Sequence, residues 1–420
     1  MSRGDPGRGV VVGEAPGRLD VLGGVADYSG SLVLQTPLAA TTRVRISDSD
    51  EPVLRLTSGH AGEARSVVVQ APAWATLMTA ADPASVGRAW LDEQGVPAWA
   101  RYPLGCLVLY AHHAAWQPTS GLMFDVASDV PVSMGVSSSA ALEVATLRAL
   151  EQWAGFHFSG TELARLAQRA ENEIVGAPCG LMDQLASAHG RPGMLLPIRC
   201  RPDLLGEALP LPSGVVAAGW PSGVAHAVSG SPYRTARTAA FMAKQILAAT
   251  MGVPLEYLTD VAPSALSGIG HDVLPDAMPG HAFLEQHGSV ADAVSAIEAG
   301  LTYPVRAAAA FAVGENARAT VAADLLRRGA DSTDSARDIP RMLGELLCES
   351  HRGYSSIGLG TSETDAMVAA VQSLGPAAGF YGARVSGGGC GGTVVVLLDE
   401  AVLPRLGQLA GDSTGTALIR

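Results

Sequence analysis

The chain has 420 residues, 48% of them hydrophobic and only 16% charged, with a formal net charge of −12. That length has room for two domains and the apolar share supports a substantial core. The acidic balance argues against a nucleic-acid or anionic-membrane surface, because both call for a basic face.

The first thirteen residues, MSRGDPGRGVVVG, lack the apolar stretch of a secretory leader, and no later run approaches the length of a membrane span. The expectation is a soluble cytoplasmic protein. The segments VVVGEAP, SLVLQTPLAATTRVRIS, PVLRLTS and RSVVVQ, all before residue 71, predict β-strands that end in or run up to Gly, Pro or Ser. Between the first two lies GGVADYSG, Gly23 to Gly30, where one aspartate and one tyrosine stand among glycines. A tight turn capped by Asp27 accounts for it, and so does a backbone that a ligand approaches closely.

Trp99 to Ala115 predicts a helix despite Pro103. A strand, GLMFDVASDVPVS, then leads into PVSMGVSSSA (Pro131 to Ala140) and a helix from Ala140 to Trp153. Three serines at a helix start satisfy orphan amides, but they also make an anion site, and their hydroxyls can ligate Mg²⁺. Ser159 with Glu162 has the capping-box form, and Leu163, Leu166, Ala167, Ala170 and Ile174 follow at helical spacing.

CGLMDQ (Cys179 to Gln184) follows the acidic run Glu171, Asn172, Glu173. Alone, Asp183 there suits a turn or cap, and Cys179 suits a small buried hydrophobe. Residues 203–215, rich in Pro, Gly and small residues, mark a candidate boundary, and residues 257–295 are turn-rich. The single lysine, Lys244 in FMAKQIL, fits neither a Walker loop nor a protein-kinase strand. Phosphate chemistry would then rest on backbone amides, arginine and a metal ion.

GGGCGG (Gly387 to Gly392) contains a literal GxGxxG, yet TVVVLL after it is a strand, not a helix. A strand-connecting loop or hairpin replaces the dinucleotide reading. The cysteines Cys106, Cys179, Cys200, Cys348 and Cys390 show no metal spacing and suit reduced thiols.

Taken together, APGRLDVLGGVADYSG, PVSMGVSSSAALEVA, ENEIVGAPCGLMDQ and VSGGGCGGTVVVLL resemble, in order, the motifs of the GHMP small-molecule kinases, galactokinase-like branch. WARYPLG, GVAHAVSGSPYRTAR, VGENAR and HRGYSSIGLGTSETD extend the match over nearly the whole chain. The resemblance implies an α+β fold of two domains, 1–205 and 206–420, with the active site in the cleft between them. It implies an ATP- and Mg²⁺-dependent sugar 1-kinase, with a sugar and ATP as its small-molecule partners. Monomer and homodimer both stay open.

Residue by residue, Asp183 takes the place of the catalytic aspartate facing the anomeric hydroxyl, with Arg18 beside it. Gly135, Val136, Ser137, Ser138, Ser139 and Ala140 take the phosphate loop, and Ser138 or Ser139 with Glu171 the metal site. The loop departs from the commonest pattern at Ser133 and Met134. Trp99 and Tyr102 match a segment near the adenine pocket. Asp27, Tyr233 and Gly180 match sugar-side positions.

Galactokinases read Gly-Glu-His-Thr-Asp-Tyr where this chain has Gly23 to Tyr28, so Gly24 and Val25 replace two polar contacts for the sugar's C6 end. A galactose-like ring without C6 is L-arabinopyranose, which makes L-arabinose the expected acceptor. Galactose, galacturonate and a catalytically silent sugar sensor are the alternatives.

Overall fold

The computed structural model describes residues 9–60, 63–177, 179–225, 231–292, 295–330, 338–414 and 417–419. The chain forms two compact units that are not consecutive halves. One holds residues up to 18, 38–131 and 137–189; the other holds 19–37, 132–136 and everything from 190 onward. Strands β1 (Val11–Leu22) and β2 (Leu32–Ser49) each carry the chain from one unit to the other.

In the first unit, β2 pairs antiparallel with β5 (Gly121–Ser128), and β3 (Val53–His60) pairs parallel with β5. β4 (Glu63–Gln70) closes the edge against β3. Burial alternates along these strands: Val44 and Ile46 point inward while Arg43 and Arg45 face solvent, and Leu122, Phe124 and Val126 alternate with exposed Met123 and Asp125. That period of two is what a sheet covered on one face requires. The cover is helical. α1 (Pro83–Glu93), α2 (Ala98–His113), α3 (Ser138–Ala154) and α4 (Gly160–Arg169) contribute Leu91, Leu104, Leu107, Leu147, Leu150, Leu163 and Leu166 to one core. Pro103 lies inside α2, and Ser159 with Glu162 forms the complete capping box of α4.

After Arg169 the helix widens into a π-turn, Ala170–Val175, closed by the Gly176 amide on the Glu171 carbonyl at 2.9 Å. Such turns shift the side chains after them around the axis and recur at functional sites. Here the shifted residues include Glu171 and Asn172. A short loop then leads to α5 (Met182–His189).

In the second unit, residues 32–35 of β2 pair with β6 (Met194–Arg199). A three-stranded antiparallel sheet has β9 (Thr393–Asp399) between β7 (Val215–Pro221) and β8 (Phe380–Val385). Gly387–Gly392 therefore connects antiparallel neighbours, as expected of a glycine loop followed by a strand. Helices α6 (Ser231–Met251) and α7 (Val305–Ala330) share a core with Leu258, Phe283 and Tyr303. α8 (Ile339–Ser356), α9 (Ser362–Leu374) and α10 (Leu403–Thr414) supply Cys348, Val368, Val371 and Leu406 to the core on the three-stranded sheet. Among its described residues, the turn-rich stretch from 257 holds a 3₁₀ helix, Leu258–Asp260, and two short α-helices, Pro263–Ser267 and Gly280–His287. Among the described residues no helix is long and apolar enough to cross a membrane.

Candidate active site

Arg18, near the end of the first unit's share of β1, meets Asp183, the second residue of α5, in a two-pronged ion pair. Nε and Nη2 donate to the two carboxylate oxygens at 2.8 Å each. This fork geometry is the strong form of an arginine–carboxylate contact. Arg18 is nearly buried, with 4% of its side chain exposed, whereas Asp183 keeps 23% open. A third donor, the Ser137 hydroxyl, reaches Asp183 Oδ2 at 2.5 Å.

Ser137 stands at the N-cap position of α3 but makes no side-chain cap. Its hydroxyl is committed to Asp183 instead. The loop before it runs through positive φ at Ser133 (60°), Gly135 (68°) and Ser137 (59°). Two of these are not glycine, and each such residue stores strain of order 1 kcal/mol. Alternating left- and right-handed residues turn successive N–H groups to one side, which makes a concavity for anions. The Thr393 hydroxyl holds the loop's Met134 carbonyl at 2.8 Å.

Behind Asp183 two acids lie together. Glu143 is wholly buried in α3 and lies beside Glu171 of the π-turn. Burial and the neighbouring Glu171 hold the Glu143 carboxyl well above the usual range. Burial pushes Glu171 up to about 7, against hydrogen bonds from Cys179 and Ser139 that favour its charged form. Gln184 Nε2 bridges the pair, at 2.7 Å from Glu171 and 3.1 Å from Glu143.

Of the two serines expected at a metal, Ser139 lies beside Glu171 and favours its charged form; Ser138 is half-buried at the start of α3. The Cys179 thiol donates to Glu171 at 3.3 Å, and burial pushes its pKa up, as an inert thiol requires. Its backbone is pinned by Asn172 and Gln168, which fixes the approach to Gly180. Tyr102 of α2 lies near both acids, with its pKa raised by burial and then by their charge. Trp99, one turn earlier, packs half-buried against the core.

In the second unit, Gly24–Ser29 forms a short 3₁₀ helix. Its entering amides each end on a different buried side chain. Gly23 N–H donates to Glu315 at 3.0 Å, Gly24 N–H to Asp20 at 3.2 Å, and Val25 N–H to the Tyr354 hydroxyl at 3.0 Å. Asp27 is 7% exposed and accepts from the Tyr28 amide at 2.6 Å. Tyr233 stands edge-on to Tyr28 with ring centroids 6.5 Å apart. Arg237, clamped by Asp292 at 3.0 and 3.1 Å, lies over the Tyr28 ring.

Gly24 and Val25 were expected as sugar-side positions left bare of polar groups. Val25 is 2% exposed among Phe311, Tyr354 and Ile357, and a Cβ on Gly24 would meet the Tyr354 hydroxyl, Arg384 and Asp20. Other side chains of the second unit fill the space beside both residues. Pro178 and residues 226–230, within two of the matched motifs, lie outside the described residues.

Two family models match the chain, GHMP kinases N terminal domain over residues 101–191 and GHMP kinases C terminal over 336–407. Galactokinase of Chloroflexus aggregans is 31% identical across 92% of this chain and 84% of its own length. Galactokinase of Bos taurus is 32% identical across 94% and 85%. This chain belongs to the GHMP kinase family. An L-arabinokinase of Arabidopsis thaliana is also 31% identical over 92% of the chain, which spans only 42% of that longer protein. Among solved structures, Lactococcus lactis galactokinase complexed with galactose superposes with a TM-score of 0.72 at 19% identity, covering 98% of this chain and 92% of that one. Methanococcus jannaschii mevalonate kinase gives 0.59 at 13% identity, over 99% and 98%. The GHMP kinase fold, mixed α and β, is thus shared, and the chain is a sugar kinase of the galactokinase and arabinokinase type.

For this GHMP kinase, several residues beside the expected set escaped the sequence reading. Glu143 carried a signal: it is the sole charge in SSAALEVATL, a run otherwise suited to a core. Gln184 carried none beyond its place next to Asp183. Asp20, Glu315, Tyr354 and Arg384 are spread over more than 360 positions, and no local pattern joins them.

Proposed function

We propose that this kinase transfers the γ-phosphoryl group of ATP to the anomeric hydroxyl of L-arabinose, in the cytoplasm. The observation that carries the sugar choice is that the space beside Gly24 and Val25 is filled by this chain's own side chains while Asp27 is retained. The Tyr354 hydroxyl there is already used twice, accepting from Val25 N–H and donating to the Gly387 carbonyl at 2.7 Å. A C6 hydroxymethyl group at these two positions would thus find the Tyr354 hydroxyl already engaged. An unsatisfied buried hydroxyl costs about 1–3 kcal/mol, or about 10- to 100-fold in preference. The likeness to an L-arabinokinase supports the same choice, and five thiols without a disulfide suit a reducing compartment.

In this reading Asp183 accepts the sugar hydroxyl and aims its oxygen at the phosphoryl group. Arg18, fixed by its fork on Asp183, lies ready to offset charge developing on the transferring oxygens. Positioning and electrostatics do most of the work, because a loose phosphoryl transition state gains little from a strong base. The amides of 135–140 would hold the nucleotide phosphates, and Trp99 and Tyr102 would lie by the adenine.

Mg²⁺ suits the donor set beside Asp183. Ser139 and Glu171 are hard oxygen ligands, and Glu143 Oε1 is buried without a hydrogen-bond partner among the described residues. Ser139 and Glu171 would hold the ion, which when bound draws charge from the phosphate oxygens.

The test is ADP release with ATP and Mg²⁺ on L-arabinose, D-galactose, D-galacturonate, D-fucose, D-glucose and no sugar. A kcat/KM for L-arabinose at least about tenfold above D-galactose supports the reading (about 1.4 kcal/mol). Equal or faster galactose turnover overturns the sugar choice and keeps the kinase. No turnover on any sugar, with sugar still bound, overturns the kinase reading in favour of a sensor.

A further inference from the structure

Asp20, Glu315, Tyr354 and Arg384 form a buried polar cluster under the Gly23–Val25 amides. All four are fully buried. Arg384 pairs with Asp20 at 3.0 Å and with Glu315 at 3.7 Å, and its guanidinium lies 4.8 Å from the Tyr354 ring centre. Ser350 donates to Glu315 at 2.6 Å, and Gln35 to Asp20 at 2.8 Å. Asp20 also accepts the Gly387 amide at 3.2 Å. The cluster ties the 3₁₀ helix bearing Asp27 to the first residue of the glycine loop.

One geometric fact singles out Tyr354. A Cβ built on Gly24 would stand 1.7 Å from the Tyr354 oxygen, 2.7 Å from Arg384 Nη2 and 2.8 Å from Asp20 Oδ2, at a φ of +46°. The first distance is far inside any van der Waals contact, so a side chain at 24 and a hydroxyl at 354 exclude one another. We propose that Tyr354 is a positioning residue for the sugar: its hydroxyl takes the volume of a residue-24 side chain and sets the Gly24–Asp27 backbone. Sugar selectivity at this end then belongs to the pair 24 and 354, not to residue 24 alone. The proposal rests on the sugar-kinase reading for its kinetic consequence and on geometry alone for the exclusion.

The same clash makes the direct swap toward the galactokinase pattern, Gly24→Glu with Val25→His, a poor probe. The introduced glutamate would strike Tyr354 before it reached any sugar.

The experiment uses the full chain as wild type, Tyr354→Phe, Gly24→Ala and the double variant. Tyr354→Phe keeps the ring and removes both hydroxyl bonds. It should raise the sugar KM about tenfold, as losing one buried hydrogen bond does, while the ATP KM stays within about twofold. Gly24→Ala should lower Tm, and by clearly less in the Tyr354→Phe background, where the 1.7 Å contact is gone. A lower Tm for Tyr354→Phe with both KM values unchanged, or a parallel rise in both, overturns the positioning role. An equal Tm loss for Gly24→Ala in the two backgrounds overturns the exclusion. If wild type phosphorylates no sugar, the kinase reading and the kinetic claim fall together, and the Tm cycle still decides the exclusion.

Discussion

Replacing Asp183 with asparagine tests the centre of the site with one atom exchanged. The wild-type carboxylate takes three donors, Arg18 Nε and Nη2 at 2.8 Å and Ser137 Oγ at 2.5 Å. Asparagine has one acceptor oxygen, so in either orientation its amide N–H₂ faces an N–H of Arg18. A hydrogen bond to a charged group contributes about 1.5–3 kcal/mol. Because Asp183 is 23% exposed, screening reduces the expected loss of stability to about 1–2 kcal/mol. The effect on turnover is larger. Losing the group that takes or aims the sugar hydroxyl should lower kcat by about 10²–10⁴ with the sugar KM within about threefold. Steady-state ADP release, with urea melts as a folding control, measures both. Asp183→Ala separates the two roles. If Asp183 orients the hydroxyl, asparagine retains more activity than alanine; if it is a base, both fall equally. A kcat within about threefold of wild type for Asp183→Asn, with the protein folded, would refute the assignment.

Two further perturbations probe the acids behind it. Glu171 has its pKa raised by burial from 4.5 to about 7, so the fold favours its protonated form. Its stabilising contribution is full below the unfolded value and lost as pH rises through about 7, up to about 3 kcal/mol for a shift of this size. In chelator, wild-type Tm should fall between pH 5 and 8 and Glu171→Gln should flatten that fall; parallel curves would rule the group out. Ser139→Ala should raise the Mg²⁺ concentration needed for half-maximal turnover about tenfold, as losing one hydroxyl ligand would, while Ser138→Ala changes it little, because Ser139 is the serine placed beside Glu171. The reverse order would move the metal to Ser138.

The parts legible in the sequence were those fixed by neighbours. Alternation at 43–46 shows in the residues themselves and in which of them face solvent. Ser159 and Glu162 form their box because three residues of helix bring them together. The glycine run at 387–392 joins antiparallel strands, as the strand after it required. What escaped depends on distant partners. The exchange at Gly24 looks like a deletion until Tyr354, 330 positions on, is seen in the same volume. Ser137 fits a cap by position, yet Asp183 competes for its hydroxyl and wins. Helical spacing from Leu163 to Ile174 gave no hint of the π-turn, since one widened turn leaves those residues buried. The Pro- and Gly-rich stretch at 203–215 carries two short strands within the second unit, and composition could not show that residues 19–37 belong there too.

The salt bridge between Asp20 and Arg384 closes a loop of 364 residues. On a ribosome adding about 5–20 residues per second, Asp20 emerges roughly 20–70 s before its partner exists. Gly23 and Val25 wait similarly for Glu315 and Tyr354. Residues 20–25 are therefore among the last of their unit to gain partners, and until then a carboxylate destined for complete burial stays hydrated. A nascent chain stalled short of residue 384 would leave the Gly24–Ser29 segment without the Arg384 end of its buried cluster.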